Sequence, residues 1–144
     1  MPSRYSASGN PMAVIARDLR ALPEEARRAV RPALREAGKV VAREAMVNAS
    51  WSSRIPGTIR VSTSFRLNRE GVEVRAGGGN APHARPYENL GEPGTFRHPV
   101  YGNNWWVSQA ARPFLFPAAR SSEGTVTSMM AETMDDVAAS LGFS

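Results

Sequence analysis

Cysteine is absent from the 144-residue chain, which removes disulfides, thiolate metal sites and cysteine nucleophiles together and suits a reducing compartment. Lysine is almost absent as well: of 18 basic residues, 17 are arginine and only Lys39 is lysine. Histidine is limited to His83 and His98, without the short spacing of a metal-binding pair. No stretch approaches the roughly 20 apolar residues of a membrane helix, and the opening MPSRYSASGNPM has no apolar targeting core. The expectation is a soluble chain with no membrane partner. Catalytic motifs are missing too. The glycine-rich AGGGNAPHA matches neither the phosphate-loop nor the dinucleotide pattern, and no serine sits in GxSxG or SxxK. Glu88 and Glu92 stand four apart without partners for acid/base work; a glycosidase-type carboxylate pair is defined in space, so spacing along the chain leaves that class open. The sequence therefore predicts no enzyme, no cofactor and no metal.

What is present is arginine, with a formal net charge of +5. A nucleic-acid binder needs such a surface to neutralise phosphates. A GC-rich genome, whose codons favour arginine over lysine, explains the bias equally, and the arginines are spread along the chain with acids nearby. Residues 1–11 are polar and read as a flexible or partner-ordered arm. Residues 12–144 read as one domain, large enough to bury roughly 68–70% of its unfolded surface. Val14, Ile15, Leu19 and Leu22 approach helical spacing before Pro23. From 23 to 50 an amphipathic helix is predicted, opened by Pro23 and two acids, with Ala26, Val30, Ala33, Leu34, Ala37, Val40, Val41 and Met46 on its apolar stripe. Pro32 predicts a kink or a later start. The stripe is rich in small residues, which lets another element approach closely.

After position 57 the period changes to two. Ile59, Val61, Thr63, Phe65 and Leu67, then Val72, Val74 and Ala76, predict a β-hairpin over 58–77 around the turn NREG. Residues 78–111 read as a long loop rich in glycine and proline, a length expected only of a binding surface or a partner-ordered segment. Within it, HARPYENLG admits a helical turn or two ending at Gly91, and NWWVSQA an edge strand. The loop carries Tyr87, Glu88, Phe96, Arg97, Tyr101, Trp105 and Trp106, and Arg112 follows. Tryptophans beside arginines suit base stacking, a protein–protein hot spot or the chain's own core. In ARPFLFPAAR, Phe116 before a proline is biased to extended geometry while Pro117 suits a helical first turn, so the segment reads as a joint. Pro113, Phe114, Leu115, Phe116 and Pro117 are its structural residues, with Arg112 expected to pair with a carboxylate such as Glu88 and Arg120 to be solvated. A closing helix is predicted over 117–141 on the stripe Val126, Met130, Thr133, Val137 and Leu141, with SSEG able to break its first part.

The stretch PHARPYENLGEPGTFRHPVYGNNWWVSQAARPFLFPAAR resembles the HK97 gene product 10-like family of phage tail components, related to lambda-type tail-completion proteins. The first half of that pattern is matched by Ala81, Pro82, Ala84, Glu88 and Gly91, and the second by Ala111, Arg112, Pro113, Phe114, Leu115, Pro117 and Ala118. The longer form RPYENLGxPGTFRHPVxG is similar to versions from actinobacterial phages. Glu92 and Pro93 intervene before Gly94 and Thr95, so either Gly91 or Gly94 takes the family's glycine position. The resemblance implies an α+β fold with a long N-terminal and a C-terminal helix packed on a small antiparallel β-sheet, and a long motif loop. It implies a structural virion protein of the neck, formed in the host cytoplasm and joining head to tail as a homo-oligomeric ring, expected to be a hexamer. Its partners would be itself, the head-stopper or adaptor ring, the tail terminator and the tail tube, with non-specific contact to genomic DNA in the channel. The alternatives are a tail-terminator or head-closure ring protein, or a basic nucleic-acid-binding module. Tyr87, Glu88, Arg97, Tyr101, Trp105, Trp106 and Arg112 are the expected contact residues.

Overall fold

The structure, a computed structural model, describes residues 23–66 and 69–142. The polar segment 1–11, the apolar spacing over 12–22, Leu67 and the Phe65 side chain lie outside the described residues. Three helices and two small antiparallel sheets make an α+β fold. In place of one sheet there are two, each of two strands. The chain divides into two compact units, one within Met1–Gly38, Ser62–Glu73 and Gly124–Ser144, the other Lys39–Val61 with Val74–Glu123.

Helix α1 spans Glu24–Asn48. Pro23 lies just ahead of it, its carbonyl accepting the Arg27 N–H at 3.1 Å, and Glu24 and Glu25 occupy the positive end of the helix dipole. The helix runs through Pro32 instead of starting there. Pro32 and Arg28 are both exposed, so the carbonyl that loses its donor is on the wet side, where water replaces the bond. In the first unit, α1 buries Ala26, Val30, Leu34 and Ala37. Helix α3, Leu115–Ser140, contributes buried Val126, Met130 and Val137 to that unit, while Thr133 is half-buried and Leu141 lies exposed beyond the helix end. The SSEG segment does not interrupt α3: the Ser121 hydroxyl donates to the Ala118 carbonyl one turn back, Ser122 is buried and Gly124 stays helical.

In the second unit the core is built largely of alanine. Ala42, Ala45 and Ala49 from the end of α1 gather with Ala81, Ala84, Ala118, Ile55 and Ile59 around Phe114. Met46, expected on the stripe, is instead partly exposed, because the alanines at 42, 45 and 49 form the buried face. Small side chains bring backbones close enough that one phenylalanine fills the space between them. Between α1 and the first strand, a 3-10 turn at Pro56–Thr58 is fixed by Thr58, whose hydroxyl donates to the Ile55 carbonyl and accepts the Gly77 N–H.

Strands β1 (Arg60–Arg66) and β2 (Arg69–Arg75) form the first hairpin. Val72, Val74 and Ala76 are half-buried while Glu73 and Arg75 are exposed, as the alternation requires. The segment 78–111, expected as a loop, is largely ordered structure. It contains the short helix α2 (Ala84–Glu88), a tight turn at Asn89–Gly91, and a second hairpin of β3 (Thr95–Pro99) and β4 (Trp106–Ala110). In this hairpin Phe96 pairs with Gln109, Arg97 with Ser108, His98 with Val107 and Pro99 with Trp106.

Candidate interaction site

The site begins at a carboxylate. Glu88 closes α2, is 8% exposed, and turns both oxygens onto the start of α3. Its Oε2 accepts the N–H of Phe114 at 2.7 Å and of Leu115 at 2.8 Å, and its Oε1 accepts the N–H of Phe116 at 2.8 Å. A helix leaves its first four N–H groups without internal partners. Here three meet one carboxylate, and the fourth position is Pro117, which has no N–H. The negative charge also sits at the positive end of a 26-residue helix. This explains two departures from the sequence reading. Helix α3 starts at Leu115, two residues ahead of Pro117, and Phe116 is helical although a proline follows. The charge-assisted bonds outweigh the modest bias of a pre-proline residue against helix.

The same contact redirects Glu88 and Arg112. Glu88 is a buried cap and presents no surface to a partner, while Arg112 lies 4.6 Å above the Trp51 ring instead of pairing with Glu88. The Arg112 N–H donates to the Tyr87 carbonyl and the Ala111 N–H to the Gly94 carbonyl, which ties the joint to both sides of the tight turn. That turn is wound left-handed: φ is 46° at Asn89, 57° at Leu90 and 80° at Gly91. At Gly91 a Cβ would collide with Cβ of Phe116 and stand 2.8 Å from its Cγ, so glycine is needed both for φ and for clearance. Asn48 completes the joint, its amide donating to the Phe114 carbonyl at 3.2 Å. Leu115 packs against the alanine core, Pro113 and Phe116 are half-buried, and Arg120 approaches Glu92 at 3.8 Å on the surface.

Outward from this joint runs an aromatic ladder. Trp51 and Tyr87 stack with centroids 4.6 Å apart, Tyr87 meets Phe96 edge-on at 5.0 Å, and Phe96 meets His98 at 6.0 Å. A polar chain runs beside it: the His98 ring bonds the Gln109 side chain at 2.9 Å, and the Gln109 amide donates to the Tyr87 hydroxyl. One face of the β3–β4 hairpin is thereby anchored at its base. Tyr87, expected as a free contact residue, is half-buried within this ladder.

The rest of the hairpin is uncovered. Every residue of β4 is exposed, and Tyr101, Trp105 and Trp106 expose 103%, 75% and 57% of their surface. By strand alternation Trp106 and Arg97 stand on the face opposite Phe96 and His98. The tip is closed by the Val100 N–H donating to the Trp105 carbonyl at 2.9 Å and by Gly102 at φ 80°. The sequence thus identified the tip aromatics and Arg97, but it missed Trp51, His98 and Gln109 as anchors. The turn residues YGNN between two short runs were the available hairpin signal.

Among the described residues no group of three or more His, Asp or Glu is placed to hold a metal ion, and no helix is long and apolar enough to cross a membrane. Compared with protein-family models, curated proteins and solved structures, the chain matches none.

Proposed function

We propose that this chain is a structural, non-enzymatic subunit of the head–tail connection of a tailed phage, a tail-completion or joining component that assembles with copies of itself into a ring, expected to be sixfold. The observation that carries the reading is the β3–β4 hairpin: anchored at its base by Tyr87, Phe96, His98 and Gln109, it leaves Tyr101, Trp105 and Trp106 in solvent. Three exposed aromatics amount to several hundred Å² of apolar surface, beyond what scattered surface residues present on a monomer. A ring of heterologous contacts needs a projecting element on each subunit that the next one covers. The two halves of the family-like motif also have one physical purpose, since Glu88 and Gly91 hold Phe114, Leu115 and Phe116 in place. A tail-terminator or head-closure ring subunit is the alternative position for the same architecture.

The test is genetic and biochemical. The phage carrying this gene should contain the chain in purified virions, and deletion of the gene should yield unjoined heads and tails. Joined, infectious particles from the deletion would refute the assignment.

A further inference from the structure

Asn89, Leu90 and Gly91 have positive φ in succession. Asparagine and glycine tolerate that region; leucine does not, because its Cβ crowds the following carbonyl. Leu90 nevertheless adopts φ 57°, ψ 26° and leaves 67% of its surface in solvent. Its side chain therefore returns little burial to its own chain for the strain its backbone carries. Strain of this kind persists where the surroundings impose it, and it concentrates at functional positions. Here the surroundings are known: Glu88 is fixed on the start of α3, Gly91 is pressed on Phe116, and the Glu92 N–H closes the turn on the Asn89 carbonyl at 3.1 Å. The joint holds Leu90 outward as a rigid apolar knob.

We infer that Leu90 is a self-association contact, received by the aromatic hairpin tip, Tyr101, Trp105 and Trp106, of a second copy of this chain. The inference rests on the ring reading and names the surface that reading leaves open. The occupant follows from what is exposed. Among the described residues the large exposed apolar side chains are Met46, Val47, Leu90, Tyr101, Trp105, Trp106, Val107 and Leu141. Four of these belong to the hairpin and its tip, and within a single copy the tip and Leu90 are both open to solvent, so neither covers the other. A leucine held rigid needs a concave or flat apolar counterpart, and paired tryptophans on a two-stranded ribbon supply one. Rigid presentation lowers the ordering cost of association.

The experiment compares the parent chain, L90G and the W105A/W106A double variant by sedimentation equilibrium and thermal melting. It adds a photo-activated benzophenone side chain at position 90, with cross-linked peptides mapped by mass spectrometry. Glycine accepts the left-handed region freely. L90G should therefore melt at or above the parent temperature while self-association weakens about tenfold or more, and cross-links should map to Tyr101–Val107 of a second copy. A lower melting temperature for L90G, unchanged self-association, or cross-links elsewhere would overturn the inference. If the W105A/W106A variant loses self-association while L90G keeps it, only the Leu90 contact falls and the hairpin contact stands. A parent chain still monomeric at about 1 mM removes the contact and the inference together, and leaves the neck assignment to be judged on virions.

Discussion

Glu88 lies 26 positions before the first backbone group it holds, which is why its role escaped the sequence. Helix caps are read from the residues next to a helix start, and ARPFLFP offers none with an acceptor. The family-like spacing marked Glu88 as important, and composition marked it as a contact; only the fold brings it to α3. Replacing it by alanine leaves three N–H groups at a part-buried helix start without an acceptor. E88A should cost roughly 2–4 kcal/mol in urea unfolding, and E88Q, which keeps one carbonyl acceptor, roughly half as much. Gly91 gives a second test. G91A introduces both a strained φ and a collision with Phe116, so it should destabilise by roughly 2 kcal/mol or more. In the F116A background its cost should shrink without vanishing, because the collision goes and the positive φ stays.

The helices were legible because their apolar residues recur at helical spacing, and Val30, Leu34, Val126 and Met130 are buried where that spacing puts them. The first hairpin was legible for the corresponding reason with period two. The second hairpin was not. Strand β4 is exposed along its whole length, so it shows no apolar alternation, and Pro99 at the end of β3 weakens the strand signal further. The base and tip of this element should respond differently to mutation. F96A removes the ring between Tyr87 and His98 and should cost roughly 1–3 kcal/mol. The W105A/W106A pair, largely in solvent, should change stability by less than about 0.5 kcal/mol per residue. Equal losses at both places would mean that the tip also packs on its own chain.

For the whole molecule, the bias to arginine leaves a nucleic-acid-binding reading that the assembly reading must be set against. A DNA binder loses affinity steeply with salt and depends on Trp105 and Trp106 for base stacking. The ring reading expects any DNA binding to be weak and unchanged in W105A/W106A, as filter binding across a salt series will show. What the sequence conveyed at this scale was architecture class and a family-like motif; the surfaces that join copies are discontinuous in the chain and take shape only when 90 and 101–106 are placed in space. The most direct measurement is a cryo-EM map of the virion neck. The assembly reading predicts a ring built from this chain, with each hairpin tip covered by a neighbouring copy. A neck without the chain, or a ring in which Tyr101, Trp105 and Trp106 remain in solvent, would contradict it.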